Sequence, residues 1–311
     1  MEEFKLNNIA KAYNVFQIAV AEDANNPHSS EDALNRLIPA IRVAERPFVG
    51  DADDYHNFSV AIIKKFEEYG IALEIIELGL EAFPKNTDLL SDAIRYSVNC
   101  EKPAVASNCY NILRLIDKSK WTWRAFSFSV DYLLGQYRNR DTATITEAIE
   151  LVKKYQEFFP AEEDAWRLEQ DIYKKTNQRS KAKEVLVQAD KKFKFCPKCW
   201  LSYADMLIED GDFIGASAIL KKLCTNPLSA EDVNMAYVFY LDGICKMTLW
   251  QQTDAYESGE FDKKTVDAIY RSFRKALNQS DLRSDIESKV KNFVKQISFE
   301  TGILSNIEGC D

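Results

Sequence analysis

Five small residues recur in step along this chain: Ala72, Ala106, Ala148, Ala182 and Ala216 stand at intervals of 34, 42, 34 and 34 residues. A period of this size marks an array in which each unit buries its apolar face against the next, so repetition limits the fold before local propensity is weighed. Other positions keep the same phase. Trp166 and Trp200 are 34 apart, each 16 ahead of its alanine, and Tyr173 and Leu207 follow seven residues on, two helical turns along one face. Beyond the alanines, Gly79 and Ala189 lie seven residues on, and Pro84 and Pro160 lie twelve on. Small residues let two antiparallel helices approach closely, a large aromatic fills the space between successive pairs, and proline, with no N–H to give, ends a helix.

At these residues the chain resembles the tetratricopeptide repeat, whose pattern runs Trp, Leu, Gly or Ala, Tyr, then Ala, Phe, Ala and a closing Pro. The resemblance implies an all-α fold, an α-solenoid of antiparallel helix hairpins wound into a right-handed superhelix. The repeat array is expected over residues 53–278, in copies at 53–86, 87–119, 120–162, 163–196, 197–230 and 231–278. The copies at 163–196 and 197–230 match best, the second with Trp200, Ala204, Leu207, Gly211 and Ala216 in register. The first copy carries His56 and Val60 where a fuller match has Trp and a small residue.

Around the array, residues 1–46 read as an irregular N-terminal helical hairpin with helix-period apolar positions Ile9, Tyr13, Phe16 and Val20, then Leu34, Leu37, Ile38 and Ile41. Residues 281–300 read as an amphipathic capping helix and 302–311 as a frayed tail. The 42-residue interval is assigned to an intra-repeat loop at 135–141, followed by a capping box from Thr144 to Glu147. Ser229 and Asp232 are expected to open a helix running on to about Trp250, with a polar stretch from Thr253 to Phe261 before the next helix. No sustained two-residue alternation bounded by turn dipeptides marks a strand.

Charge and composition narrow the function. The net charge of −9, from 40 basic and 49 acidic residues, opposes a phosphate backbone, so nucleic acid is not the expected partner and a basic protein or peptide is favoured. The clusters Lys191-Lys192-Phe193-Lys194 and Lys263-Lys264 read as solvated helix ends. No window reaches the apolar length of a membrane span, so no membrane partner is expected. The start of the chain lacks the pattern of a secretory signal, and seven scattered cysteines do not suggest a disulfide framework. Cytoplasmic residence is the expectation.

Motifs for chemistry are scarce. Only two histidines exist, His28 in a polar turn and His56 beside Asp53 and Asp54, where an acidic pair suits a helix start. Neither G-x-G-x-x-G nor G-x-x-x-x-G-K-[ST] occurs, so no cofactor is expected, and His-Glu-x-x-His is missing. Cys196-Pro-Lys-Cys199 admits a dithiol, half of a zinc site, or a structural turn in which Pro197 opens the helix of Trp200. Direct catalysis, with no base in a plausible setting, is the least expected function.

The resemblance places a ligand on the wall formed by the first helix of each repeat. Carried over by repeat position, the partner-binding groove comprises Asn57, Lys64, Asp88, Arg95, Arg124, Phe128, Asp131, Asp164, Arg167, Asp171 and Asp205. The lysine and asparagine clamp that some members use for a C-terminal carboxylate has Asn57, Ala61 and Asp92 at its positions here, which does not support it. The expectation is a scaffold or adaptor that holds an extended polar segment with an aromatic anchor. A regulatory subunit of a separate enzyme and a peptide-sensing receptor are the alternatives.

Overall fold

The protein is described by a computed structural model covering residues 8–44, 48–137, 141–305 and 307. The described residues form helices and one isolated bridge, between Asn8 and Val49, with no strand ladder. They fall into two compact units, Met1–Leu168 and Glu169–Asp311.

The first unit holds four helix pairs: α1 Ile9–Glu22 with α2 Ser29–Arg42, α3 Ala52–Phe66 with α4 Tyr69–Ala82, α5 Thr87–Asn99 with α6 Pro103–Arg114, and α7 Trp123–Gln136 with α8 Thr142–Phe158. Short polar side chains set the starts. Asn8 accepts from the Lys11 amide at 3.1 Å, Asp51 and Asp54 form a reciprocal capping box, and the Asn86 carboxamide accepts from the amides of Asp88 and Leu89 at 3.0 Å. Asp23, just past α1, accepts the Ser30 amide and hydroxyl at 2.9 and 2.6 Å and meets the Lys65 ammonium at 2.5 Å, which ties the first hairpin to α3. Those contacts hold its carboxyl at about 2, below the usual range.

Helix α9, Asp164–Lys175, spans the division between the units. The second unit continues with α10 Arg179–Lys192, α11 Pro197–Glu209, α12 Phe213–Thr225, α13 Ser229–Asp232, α14 Met235–Gln251, α15 Asp254–Glu257, α16 Lys263–Leu277 and α17 Ser284–Thr301. Its C-terminal core joins Val266, Ile269 and Phe273 of α16 to Ile286, Val290, Val294 and Ile297 of α17.

All five recurring alanines are fully buried, at 0% exposure. Ala72, Ala106, Ala182 and Ala216 are each the fourth residue of the second helix of a pair. Five residues before each stands a residue in the left-handed conformation: Glu67 (φ 57°), Glu101 (φ 56°), Asn177 (φ 59°) and Gly211 (φ 77°). In three of these turns a six-residue return bond of 2.8 Å closes the preceding helix, from the amides of Lys102, Gln178 and Asp212 to the carbonyls of Ser97, Tyr173 and Leu207. The reversal is therefore a backbone device repeated in phase with the alanines. Two of its four positions, Glu67 and Glu101, hold a side chain that disfavours the conformation. Gly79 is a second point of close approach, since a Cβ there would lie 2.9 Å from both Leu89 Cδ1 and Tyr55 Cγ.

Three local expectations need correction. The extra length between Ala106 and Ala148 is not confined to a loop: a 3-10 turn at Lys118–Lys120 precedes α7, and Ala148 is the seventh residue of α8 rather than the fourth, so α8 begins with added helix. Residues 138–140 of the expected loop lie outside the described residues. The cap of α8 is Asp141, which accepts from the Ala143 amide at 3.0 Å and from the Thr144 hydroxyl at 2.5 Å, so Thr144 is a donor inside the first turn rather than the cap. The helix expected from Ser229 to Trp250 is broken, because Val233 is extended and Asn234 caps a new helix by accepting from the Tyr237 amide at 2.7 Å. The Asp281 carboxylate reinforces that start, accepting from the Met235 and Ala236 amides at 2.8 and 3.3 Å.

The segment after α17, expected to fray, is tethered where it is described. Tyr270 donates to the Ile303 carbonyl at 2.9 Å, Arg274 donates to the Ser305 carbonyl at 2.6 Å, and Ile307 is buried. Residues 306 and 308–311 lie outside the described residues.

Two outcomes are expected. Glu101→Gly, by relieving a left-handed side chain, should stabilise the protein by about 0.5–1 kcal/mol, whereas Ala216→Leu should destabilise it by about 1–3 kcal/mol through overpacking, both read from denaturant midpoints. Because the Asp23 pKa is depressed on folding, its contribution is complete above the ordinary value of 3.8 and is lost as pH falls toward 2. Hydrogen exchange in α1 and α2 should accelerate across that window, and Asp23→Asn should abolish the acid-side dependence.

Candidate partner-binding face

The first helices of successive pairs meet through polar side chains about one repeat apart in sequence. On α3 and α5, His56 Nδ1 lies 2.6 Å from an Asp92 oxygen, a separation of 36 residues. From α5 to α7, Asp88 accepts the Thr122 hydroxyl at 2.7 Å and Arg124 Nε at 3.1 Å, the second again at a separation of 36. From α7 to the start of α9, the Ser127 hydroxyl donates to Asp164 at 2.6 Å across 37 residues, and Arg167 Nε reaches the other Asp164 oxygen at 2.8 Å. In the second unit, Gln170 Nε2 lies 3.9 Å from Met206 Sδ, 36 residues on, and the Tyr237 hydroxyl donates to Asp205 at 2.8 Å. Within each unit these contacts form rungs between neighbouring first helices.

The rungs sort the residues carried over from the repeat pattern. Asp88 with Arg124, and Asp164 with Arg167, are brought together as internal pairs. Asp205 is spent on Tyr237, and burial pushes its carboxyl up. Asp171 is half-buried on α9 and Asp131 is exposed on α7. Arg95 and Phe128 meet differently: the guanidinium carbon sits 4.8 Å over the ring, with Arg95 exposed and Phe128 half-buried. Asn57 and Lys64 are exposed on α3 and line a cleft of about 400 Å³ against Tyr13, Phe16 and Gln17 of α1. The exposed Trp123, 5.5 Å from the Arg124 guanidinium, adds an aromatic edge that the repeat pattern did not single out.

His56 departs from its expected place. It does not lie on an exposed helix start: its side chain is 15% exposed and Asp92 is 3% exposed. Burial pushes the Asp92 carboxyl up, opposed by His56 and Arg124, and burial together with Asp92 pushes the Tyr96 hydroxyl up. Tyr96 in turn lies 3.4 Å from Ser59, whose hydroxyl donates to the His56 carbonyl at 2.8 Å. Asp92 is thus part of the interior and not a surface clamp. The signal that would have found the pair was the recurrent spacing of about 36 residues between complementary polar types on first helices.

The remaining candidate groups serve the backbone. His28 has a left-handed backbone before α2, with Nδ1 3.2 Å from Glu31. Cys196 is the residue before α11, Pro197 is its first residue, and both Cys196 and Cys199 are buried, with Cys196 Sγ 3.9 Å from the Ala189 carbonyl. Among the described residues no group of three or more His, Cys, Asp or Glu side chains is placed to hold a metal ion, and no helix is long and apolar enough to cross a membrane.

No protein-family model matches the sequence, and no curated protein does. Solved structures match the fold. A tetratricopeptide repeat protein from Parabacteroides merdae is similar at 14% identity and a TM-score of 0.56 over 90% of this chain and 98% of its own. Human IFIT1, in a dimer with PPP-AAAA, is similar at 16% identity and a TM-score of 0.52 over 94% of this chain and 68% of its own. Pseudomonas aeruginosa pilF is similar at 14% identity and a TM-score of 0.50 over 76% and 97%.

A double-mutant cycle on His56→Ala and Asp92→Ala, read by equilibrium unfolding, should return a coupling of about 1–3 kcal/mol. Additive losses would mean that the two side chains do not act as a pair.

Proposed function

We propose that this tetratricopeptide-like repeat protein is a non-catalytic scaffold that holds a partner protein as an extended segment along the first-helix face of its N-terminal unit. The observation that carries the reading is the division of labour on that face. Asp88 is engaged with Arg124 between helices and Asp164 with Arg167 within α9, whereas Asn57 and Lys64 make no hydrogen bond or ion pair among the described residues and Arg95 is held open over Phe128. An arginine stacked on an aromatic ring presents a flat surface with unused N–H donors, the combination enriched where a few residues dominate binding. The Asn57 and Lys64 cleft lies beside it on the preceding first helix and suits a polar or anionic group of the same segment. The repeat array in this reading is residues 53–278.

The net charge of −9 favours a partner that is basic overall. It also weighs against nucleic acid, although human IFIT1, of similar fold, is seen with PPP-AAAA. Four of the six described cysteines are buried, and their scatter along the chain supports a reducing, cytoplasmic setting. A stable stoichiometric complex with an enzyme on co-purification would favour the regulatory-subunit reading over transient peptide capture.

Affinity purification from the native host, read by mass spectrometry, identifies the partner. Arg95→Ala and Phe128→Ala should each weaken it about tenfold or more, a loss of about 1.4 kcal/mol, with helicity unchanged. Wild-type affinity in both variants would place the partner elsewhere and overturn the reading.

A further inference from the structure

The second helices of the first two pairs border a groove that the first-helix face does not share. Ile38 and Ile41 of α2 and Ile75 and Leu78 of α4 form its floor, around a space of about 200 Å³, and all four are buried. The charged lining is unequal. One guanidinium, Arg42, stands among three carboxylates, Glu74, Glu77 and Glu81, which lie three and four residues apart and so share one stripe of α4.

The guanidinium is already used. Arg42 Nε and Nη2 donate to the two Glu74 oxygens at 2.9 Å each, a bidentate pair in which each group satisfies the other. Glu81, exposed at the end of the stripe, is engaged within the protein. Glu77, between them, differs from both: it is half-buried, and no hydrogen bond or ion pair holds it among the described residues. Its field reaches the next helix pair, where it adds to burial in holding the Cys109 thiol up at about 11. A carboxylate that gives up part of its water without a partner in its own chain is left for a cation from outside.

Size and chemistry choose the occupant. Pockets for small molecules begin at about 300 Å³, so this groove is sized for one side chain rather than for a free ligand. Lysine and arginine lay an aliphatic stem along apolar surface and keep the charge at its edge, which matches an aliphatic floor with a carboxylate beside it. An acidic side chain would be repelled by Glu77, and an apolar one would cover that carboxylate without compensating it. The net charge of −9 draws a basic segment in from a distance.

We propose that the groove between α2 and α4 seats a basic side chain of a partner protein, with its stem on Ile38, Ile41 and Leu78 and its cation at Glu77. The site stands on second helices and uses neither Arg95 nor Phe128, so it is a point of attachment independent of the face assigned above.

The test is fluorescence anisotropy of the full chain with the peptide Ala-Leu-Lys-Leu-Ala, labelled at its N-terminus and amidated at its C-terminus so that lysine holds its one amine. Carbodiimide coupling and mass spectrometry then locate the carboxylate nearest that amine. Saturable binding is expected, with coupling at Glu77. Glu77→Gln, which keeps the size of the side chain, should weaken binding about tenfold, and the same peptide with norleucine for lysine should not bind. Glu184→Gln, an exposed position on α10 that changes the net charge equally, should leave binding unchanged. So should Arg95→Ala, and failure of the first-helix reading therefore leaves this measurement intact. Should Glu77→Gln lose helicity, the coupling position in the intact chain decides. The proposal is overturned by absent saturation, by equal weakening in Glu184→Gln or Arg95→Ala, or by coupling confined to carboxylates other than Glu77.

Discussion

Everything in this fold hangs on how closely two helices of a pair can approach. Helix axes that pack face to face lie about 8–10 Å apart, and the distance is set by the side chains at the crossing. Ala72, Ala106, Ala148, Ala182 and Ala216 occupy that position with no exposed surface, and Gly79 meets Tyr55 and Leu89 where even a methyl group would collide. Once the crossings are fixed at one size, each pair presents an equivalent surface to the next, and the helix reversal has to recur at one register. The left-handed residues five positions ahead of four of these alanines are the backbone consequence. That Glu67 and Glu101 tolerate the conformation without glycine indicates that packing, worth more than the roughly 1–2 kcal/mol such a residue costs, decides the turn.

The polar rungs between first helices do another task. Partly buried pairs such as Asp88 with Arg124 contribute little net stability, because the cost of taking both charges out of water offsets much of their attraction. Their value is positional: they fix which side chains remain for a partner. His56 and Asp92 are the buried counterpart, and removing one member would leave the other desolvated without its partner. A face assembled this way is partly used up by its own scaffold. Arg95, Phe128, Asn57 and Lys64 stand out because the ladder leaves them over.

The sequence by itself determined the class of fold, because a steric requirement repeated every 34 residues leaves its print in residue size, and Ala, Trp and Pro in phase need no coordinates to be read. It also located most helices, from their caps and apolar spacing. It misplaced the cap of α8 and ran α13 into α14, because capping depends on which of several nearby polar groups the backbone turns toward, Asp141 over Thr144 and Asn234 over Ser229. Only the tertiary structure decided which charged residues on the first-helix face are committed and which are available. Asp88 and Asp92 look alike as letters on one helix, yet one is paired across to α7 and one is buried against His56. That difference is created by contacts some 36 residues apart, and such contacts exist only after the hairpins have stacked.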